Sequence, residues 1–252
     1  MLILLPPSEG KTGAKRGRPL DLDSLSFPEL TAMRRDVVDD VVTASGRPDA
    51  SSVLGINPNL ADQIERNTRL LTAPTAPAVR VYSGVLYQAL DHPTLDPASV
   101  RRAHRQVVVV SAMFGALHLT DRIPAYRINV CSTLPHAGYL ARSWRPVLAA
   151  ALDAAVRPRE LVIDCRSDTY ASLWRPSGAL AEGWVHVKVP GASHMAKYTR
   201  GLVTRELVSG PTPRTLSALV ERLGERFLVD LAEPVRPGRP WTLSVNERVG
   251  AT

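Results

Sequence analysis

The chain is predicted to fold as a mixed α/β protein, a single domain in which helices flank a mixed sheet. Short apolar runs at Leu2–Leu5, Val107–Val110 and Leu161–Asp164 have strand length and sit between turn signals, so they read as buried strands. Ala- and Leu-rich stretches of helical length lie among them, as at Trp144–Ala155. The two kinds of segment do not alternate as a clean strand–helix–strand repeat, which argues for a mixed sheet. The 252 residues hold no internal repeat, low-complexity segment or strong linker, so one unit spanning 1–252 is expected.

Leu2–Leu5 ends at Pro6-Pro7 and reads as the first strand of the sheet. Ser8-Glu9-Gly10-Lys11-Thr12 and the basic stretch to Arg18 follow as a loop. Phe27–Ala44 reads as a helix with Ser26 at its N-cap and Pro28 and Glu29 in its first turn. Asp49–Leu71 reads as two short helices around a tight turn. Val79–Leu90 starts strand-like and turns helical. The four valines at 107–110 are β-branched and give the strongest strand signal. Trp184–Val189 alternates apolar and polar residues and reads as a half-exposed strand. Ala196–Val208 and Thr215–Arg226 read as helices, and Thr242–Val245 as a closing strand.

Composition narrows the functional classes. The chain is 44% hydrophobic and 22% charged, within the ordinary globular range. Its net charge of +7 favours polyanions such as DNA, RNA, nucleotides or acidic lipid, although an Arg-rich chain can also be basic without purpose. Two cysteines, Cys131 and Cys165, do not make a disulfide scaffold, and no Cys/His cluster suggests zinc. The histidines show no 2-His-1-carboxylate spacing, so no metal and no cofactor are expected. The apolar start is too short for a signal h-region, and no run approaches a membrane span. A cytoplasmic monomer without membrane contact is the expectation.

Leu54-Gly55-Ile56-Asn57-Pro58-Asn59-Leu60-Ala61-Asp62-Gln63-Ile64 follows the helix-hairpin-helix form, within about 49–71. Gly55 allows a turn with positive φ, Ile56 plugs the gap between helices, and Ala61 lets them approach. The second helix would offer free N–H groups to a phosphate oxygen, with Gly55, Ile56, Asn57 and Asn59 as the contact positions. Such contacts hold a nucleic-acid backbone without reading bases. Asn57 stands where the form has its second Gly, and Asn tolerates the left-handed region better than most residues. The flanking charge is mixed, Arg66 and Arg69 against Asp62 and Glu65. A plain αα-hairpin with a Gly-Pro turn fits the same residues.

Gly10-Lys11-Thr12 after a strand is no P-loop, because the first Gly of that motif would fall at Leu5. A strand end carrying Ser8, Glu9 and Lys11 is still a natural place for a site. Two further strand ends are followed by comparable clusters: Ser111 with Tyr126 and Arg127, and Cys165-Arg166-Ser167-Asp168-Thr169-Tyr170. Lys197 and Arg200 are three apart on one helix face after the next strand. Together these positions can line one cationic, hydroxyl-rich cleft. Cys165 is a candidate nucleophile or a small buried hydrophobe, and His194 is the best-placed histidine for proton transfer.

These segments, in order, resemble the peroxide stress protein YaaA family. The opening strand with Pro-Pro-Ser-Glu-Gly-Lys is similar to the family's strand and Ser-Pro-Ala-Lys. Tyr82–Leu90, Ser111–Leu117 with Pro124–Arg127, Asp164–Tyr170 and Lys197–Gly201 resemble its later blocks. Here Ala125 stands inside the Pro-Tyr-Arg block, and Arg127-Ile128-Asn129-Val130-Cys131 replaces a segment that carries an acidic residue. The resemblance implies a single α/β domain with a positively charged cleft and a helix-hairpin-helix. It also implies DNA binding and a role in limiting oxidative damage.

Two functions are therefore expected as alternatives. One is a DNA-binding stress protein, largely blind to sequence, using the hairpin and the basic cleft. The other is an enzyme acting on a small anionic or nucleobase-like molecule. For the enzyme, Lys11, Glu9, Ser167, Asp168 and Lys197 are the catalytic candidates. Ser8, Ser111, Tyr126, Arg127, Tyr170 and Arg200 are the anion-binding candidates.

Overall fold

The structure, a computed structural model, describes residues 1–191 and 193–248. Its strands are β1 (Leu2–Leu5), β2 (Ala76–Pro77), β3 (Val107–Ser111), β4 (Gly115–His118), β5 (Arg122–Ile123), β6 (Thr133–Leu134), β7 (Gly138–Tyr139), β8 (Val162–Asp164), β9 (Trp184–Lys188), β10 (Phe227–Ala232) and β11 (Trp241–Glu247). Its helices are α1 (Thr31–Ser45), α2 (Ala50–Val53), α3 (Ala61–Asn67), α4 (Ala78–Val81), α5 (Val85–Leu90), α6 (Pro97–Gln106), α7 (Leu140–Ala155), α8 (Asp168–Ala171), α9 (Ser193–Ser209) and α10 (Leu216–Gly224).

Seven strands make the main sheet in the order β10-β11-β9-β8-β1-β3-β4. From β11 to β3 every neighbouring pair is parallel, and an antiparallel strand closes each edge. The apolar run of β1 lies between β8 and β3, with Ile3 level with Ile163 on one side and Val107 on the other. A parallel strand covered on both faces has no solvent side, which explains why β1 and β3 read as continuous apolar runs. The chain builds β3 on one side of β1 and then crosses to build β8 on the other. Such a reversal opens a crevice at the carboxyl ends of the strands.

The mixed sheet flanked by helices is as the sequence predicts; several element boundaries are not. Ser26 does not cap a helix over 27–44. Its N–H and hydroxyl both donate to the Asp121 carboxylate, at 3.1 and 2.8 Å, and Phe27 turns left-handed before α1 begins at Thr31. Val79–Val81 is helical rather than strand-like, because the Ala78 and Val79 N–H groups are taken by the carbonyls of Asp121 and Leu119. β9 is an interior strand, buried from Trp184 to Val187, rather than half-exposed. Helix α6, capped by Asp96 onto the Ala98 and Ser99 N–H groups, and edge strand β10 are additions to the sequence reading.

One apolar core runs through both halves of the sheet and its helices. No helix among the described residues is long and apolar enough to cross a membrane.

Candidate functional site

A cleft of about 470 Å3 opens at the carboxyl ends of β1, β8 and β9. The loop after β1 supplies Pro6 to Lys11. The loop after β8 supplies Ser167, Thr169 and Tyr170, and α9 supplies His194, Lys197 and Arg200. Tyr126–Val130, the start of α5 and the turn Gly55–Asn57 close the other sides. These segments are far apart in sequence, and the strand crossover brings them together.

The loop after β1 is held rigidly. The Tyr87 hydroxyl donates to the Pro6 carbonyl at 2.8 Å, and the Thr12 N–H donates to the Val81 carbonyl at 2.8 Å. The Ser83 N–H donates to Ser8 Oγ at 3.2 Å, and that hydroxyl donates to the Gly10 carbonyl. Gly84 makes this docking possible, since a Cβ there would lie 2.8 Å from Ser8 Cβ. Ser8 is thereby spent on the loop, although it lines the cleft.

Lys11 is held closely within the site. Its Nζ donates to the Ser8 carbonyl at 2.6 Å and lies 4.1 Å from the centre of the Tyr126 ring. Burial, together with repulsion from Arg127 and Arg66, pulls its pKa down to about 7, while Glu9 acts the other way. An amine in this state exchanges its proton near neutrality, as general acid–base and imine chemistry require.

Behind Lys11 stands a buried hydroxyl chain. The Tyr126 hydroxyl is 2.9 Å from that of Tyr82 and 2.7 Å from Ser111 Oγ. Ser111 Oγ also accepts the N–H groups of Met113 and Phe114, so its own proton points to Tyr126. Burial raises the phenols of Tyr82 and Tyr126, which stay neutral and serve as hydrogen-bond groups. Ser111 is fully buried and does not line the cleft. Its hydroxyl sets the position of Tyr126 from behind.

Arg127 is placed by Asn67, a fully buried residue absent from the sequence-derived site. The Asn67 amide nitrogen donates to the Arg127 carbonyl at 2.6 Å, and its oxygen accepts the Arg127 N–H at 2.9 Å. The Arg127 guanidinium donates to the carbonyl and carboxylate of Glu9, the latter at 3.3 Å. Among the described residues the charged lining thus comprises Lys11, Arg127, Lys197 and Arg200 against the carboxylate of Glu9.

The remaining predicted residues divide. Ser167, Tyr170, Lys197 and Arg200 share the cleft with Lys11, Glu9, Tyr126 and Arg127. Asp168 lies outside the lining and pairs with Lys188 at 3.3 Å on the surface. Gly55, Ile56 and Asn57 line this same cleft, whereas Asn59 does not. Gly55 has φ +61, the left-handed conformation expected of it. Asn57 does not: at φ −59 it stays extended, and its side chain accepts the Asn59 N–H at 2.9 Å. It therefore occupies one of the donors that a phosphate would use. The buried Cys165 thiol is pushed up to about 12 by burial, which leaves it a packing residue.

The loop after β8 owes its shape to a buried ion pair. The Asp164 carboxylate receives Arg166 Nε and Nη2 at 2.8 and 2.7 Å and Trp184 Nε1 at 3.1 Å. Arg166 also donates to the Trp174 carbonyl at 2.8 Å.

A sequence profile described as peroxide stress protein YaaA matches residues 1–222. The chain is 42% identical to a UPF0246 protein of Streptomyces coelicolor, covering 97% of this chain and 98% of that one. It is 39% identical to a UPF0246 protein of Corynebacterium efficiens, covering 97% and 99%. Similarity extends to an uncharacterized protein of Campylobacter jejuni, at 25% identity over 81% of this chain and 82% of that one.

Proposed function

The chain belongs to the peroxide stress protein YaaA family, and on that premise we propose that it binds DNA by its phosphate backbone in the cytoplasmic response to peroxide. The observation that supports this reading is a coincidence of sites. The Gly55–Asn57 turn faces the same cleft as Lys11, Arg127, Lys197 and Arg200. A recessed surface with this surplus of cations focuses positive potential on an incoming phosphate. The cleft is too small for a duplex and has the volume of a small-ligand site. Phosphates would lie along its mouth, and a strand end or an extruded nucleotide would enter it. The protein would act as a monomer, with little preference for sequence.

Gly55 gives the test. Gly55→Ala and Gly55→Asp both place a Cβ in the left-handed conformation, at a cost of about 1–2 kcal/mol for Ala and less for Asp, so backbone strain alone would favour the Asp variant. A Cβ at Gly55 meets nothing closer than 3.5 Å. Only the Asp variant adds a negative charge facing the cleft. Oligonucleotide binding at low salt should weaken roughly tenfold for Gly55→Asp, about 1.4 kcal/mol, and little for Gly55→Ala. Equal affinities for the two variants would remove the hairpin from the binding surface.

A second reading, an enzyme acting on a small anionic or nucleobase-like substrate in the same cleft, is favoured by the near-neutral amine of Lys11.

A further inference from the structure

We propose that Lys11 is an imine-forming amine, and that the guest of the cleft is the open-chain aldehyde of a phosphorylated sugar. The proposal deepens the reading above and rests on it in one respect: the phosphate is held by the cations already assigned to that task. The aldehyde has its own argument, from the placement of Lys11.

An amine that only attracts phosphate is best left solvated and fully charged. Lys11 is neither. The residue is half-buried, with Nζ 4.1 Å from the Tyr126 ring centre and 5.7 Å from that of Tyr82. The Ser8 carbonyl fixes Nζ at 2.6 Å. Arg127 and Arg66 stand close enough to repel a proton from it, and Arg66 itself donates to the Lys11 carbonyl at 3.4 Å. Desolvation beside other cations is the setting in which a lysine becomes a nucleophile toward a carbonyl. Lys197, which also lines the cleft, is exposed and among the described residues makes no such contacts.

The other groups suit the same guest. Arg127, Lys197 and Arg200 line the same cleft as Lys11 and carry donors for a phosphate. Ser167, Thr169 and Tyr170 offer hydroxyls to the hydroxyls of a sugar. In the step itself, the free amine adds to the aldehyde carbon and the C–N bond forms. The carbonyl oxygen then leaves as water with the two hydrogens of the amine, giving the imine. Hydrolysis by water reverses the step and restores Lys11, so no oxidant or reductant is needed. Two sources carry this chemistry, an abasic deoxyribose within a DNA strand and free 2-deoxyribose 5-phosphate.

Reductive trapping tests the proposal. The full-length protein is incubated with sodium cyanoborohydride and, in separate arms, with an oligonucleotide holding one abasic site or with 2-deoxyribose 5-phosphate. The expected result is a covalent adduct whose mass matches the reduced imine and which peptide mapping places on Lys11. Lys11→Arg, which keeps the charge but removes the nucleophile, should abolish it, and Lys15→Arg, outside the cleft, should not. Mapping on the parent protein decides the matter even if the Lys11 variant fails to fold. An adduct with the oligonucleotide alone identifies the source as nucleic acid. An adduct with the sugar phosphate alone upholds the lysine chemistry while removing DNA as the guest. No adduct in either arm, or an adduct on a different lysine, overturns the proposal. Salt-dependent oligonucleotide binding would then leave the DNA-binding reading standing by itself.

Discussion

Lys11 shows how one residue couples the stability of the fold to the chemistry of the cleft. Its pKa near 7 in the folded chain lies well below the ordinary value of 10.5. Between those values the unfolded chain binds a proton that the folded chain does not, so the stability contributed at this position rises with pH from about 7 upward. Below 7 both states are charged and the burial cost is fully present. Urea unfolding at pH 6 and pH 9 should show Lys11→Met gaining on the parent at the lower pH and losing that advantage at the higher one. A constant difference would mean that Lys11 titrates normally. Phosphate affinity has the opposite trend, falling as pH rises through 7 while imine trapping increases. Lys11, Tyr126 and Arg127 could be grouped from the sequence as polar residues following apolar strands, and all three line one cleft. Asn67 could not: it holds Arg127 from 60 positions away, and nothing local to a lone Asn in a short helix reports this. The sequence places Ser111 and Tyr126 in one cluster but does not show which of the two stands in front: Ser111 is fully buried behind the Tyr126 hydroxyl.

At the scale of elements, two close approaches fix the site. α5 and α9 cross at Gly201, where a Cβ would lie 2.2 Å from the Leu86 carbonyl oxygen and 2.7 Å from Ala89 Cβ. Gly201→Ala should therefore push apart the helices that carry Leu86 and Arg200, costing about 1–3 kcal/mol in urea unfolding and weakening ligand binding. The loop after β8 depends on Asp164. Burial pushes its carboxyl up, but the charge and hydrogen bonds of Arg166 outweigh this and hold it below the usual range. Its contribution is thus present above about pH 4 and lost as pH falls below that. Asp164→Asn leaves Arg166 buried without its partner and should cost about 3–5 kcal/mol, measured as a lowered urea midpoint. A loss under 1 kcal/mol would show that Arg166 finds other acceptors. The same pair explains a misread strand. Trp184–Val189 alternates because His186 is polar, yet His186 is buried beside Asp164 on the neighbouring strand. Strand β10 leaves a weak sequence signal for the opposite reason: at a sheet edge Leu228 is 55% exposed, so an apolar residue stands on the solvent side and blurs the alternation.

For the molecule as a whole, the reversal of strand order around β1 governs where function can reside. It places the ends of β1, β8 and β9 beside one another, and the turn Gly55–Asn57, from another part of the chain, lines the same hollow. The mixed sheet was legible because its central strands are short continuous apolar runs. The strand order was not, since parallel neighbours far apart in sequence leave no local mark. In the proposed function, cations gathered at this crossover hold the phosphates of a nucleic acid. The most direct test is the salt dependence of binding to a labelled oligonucleotide, for the parent and for an Arg127→Ala, Lys197→Ala double variant. For the parent, the logarithm of the affinity should fall linearly with the logarithm of salt concentration. The variant should bind more weakly, with a slope shallower by roughly 1–2. Binding that is insensitive to salt, or a slope identical in parent and variant, would contradict the account.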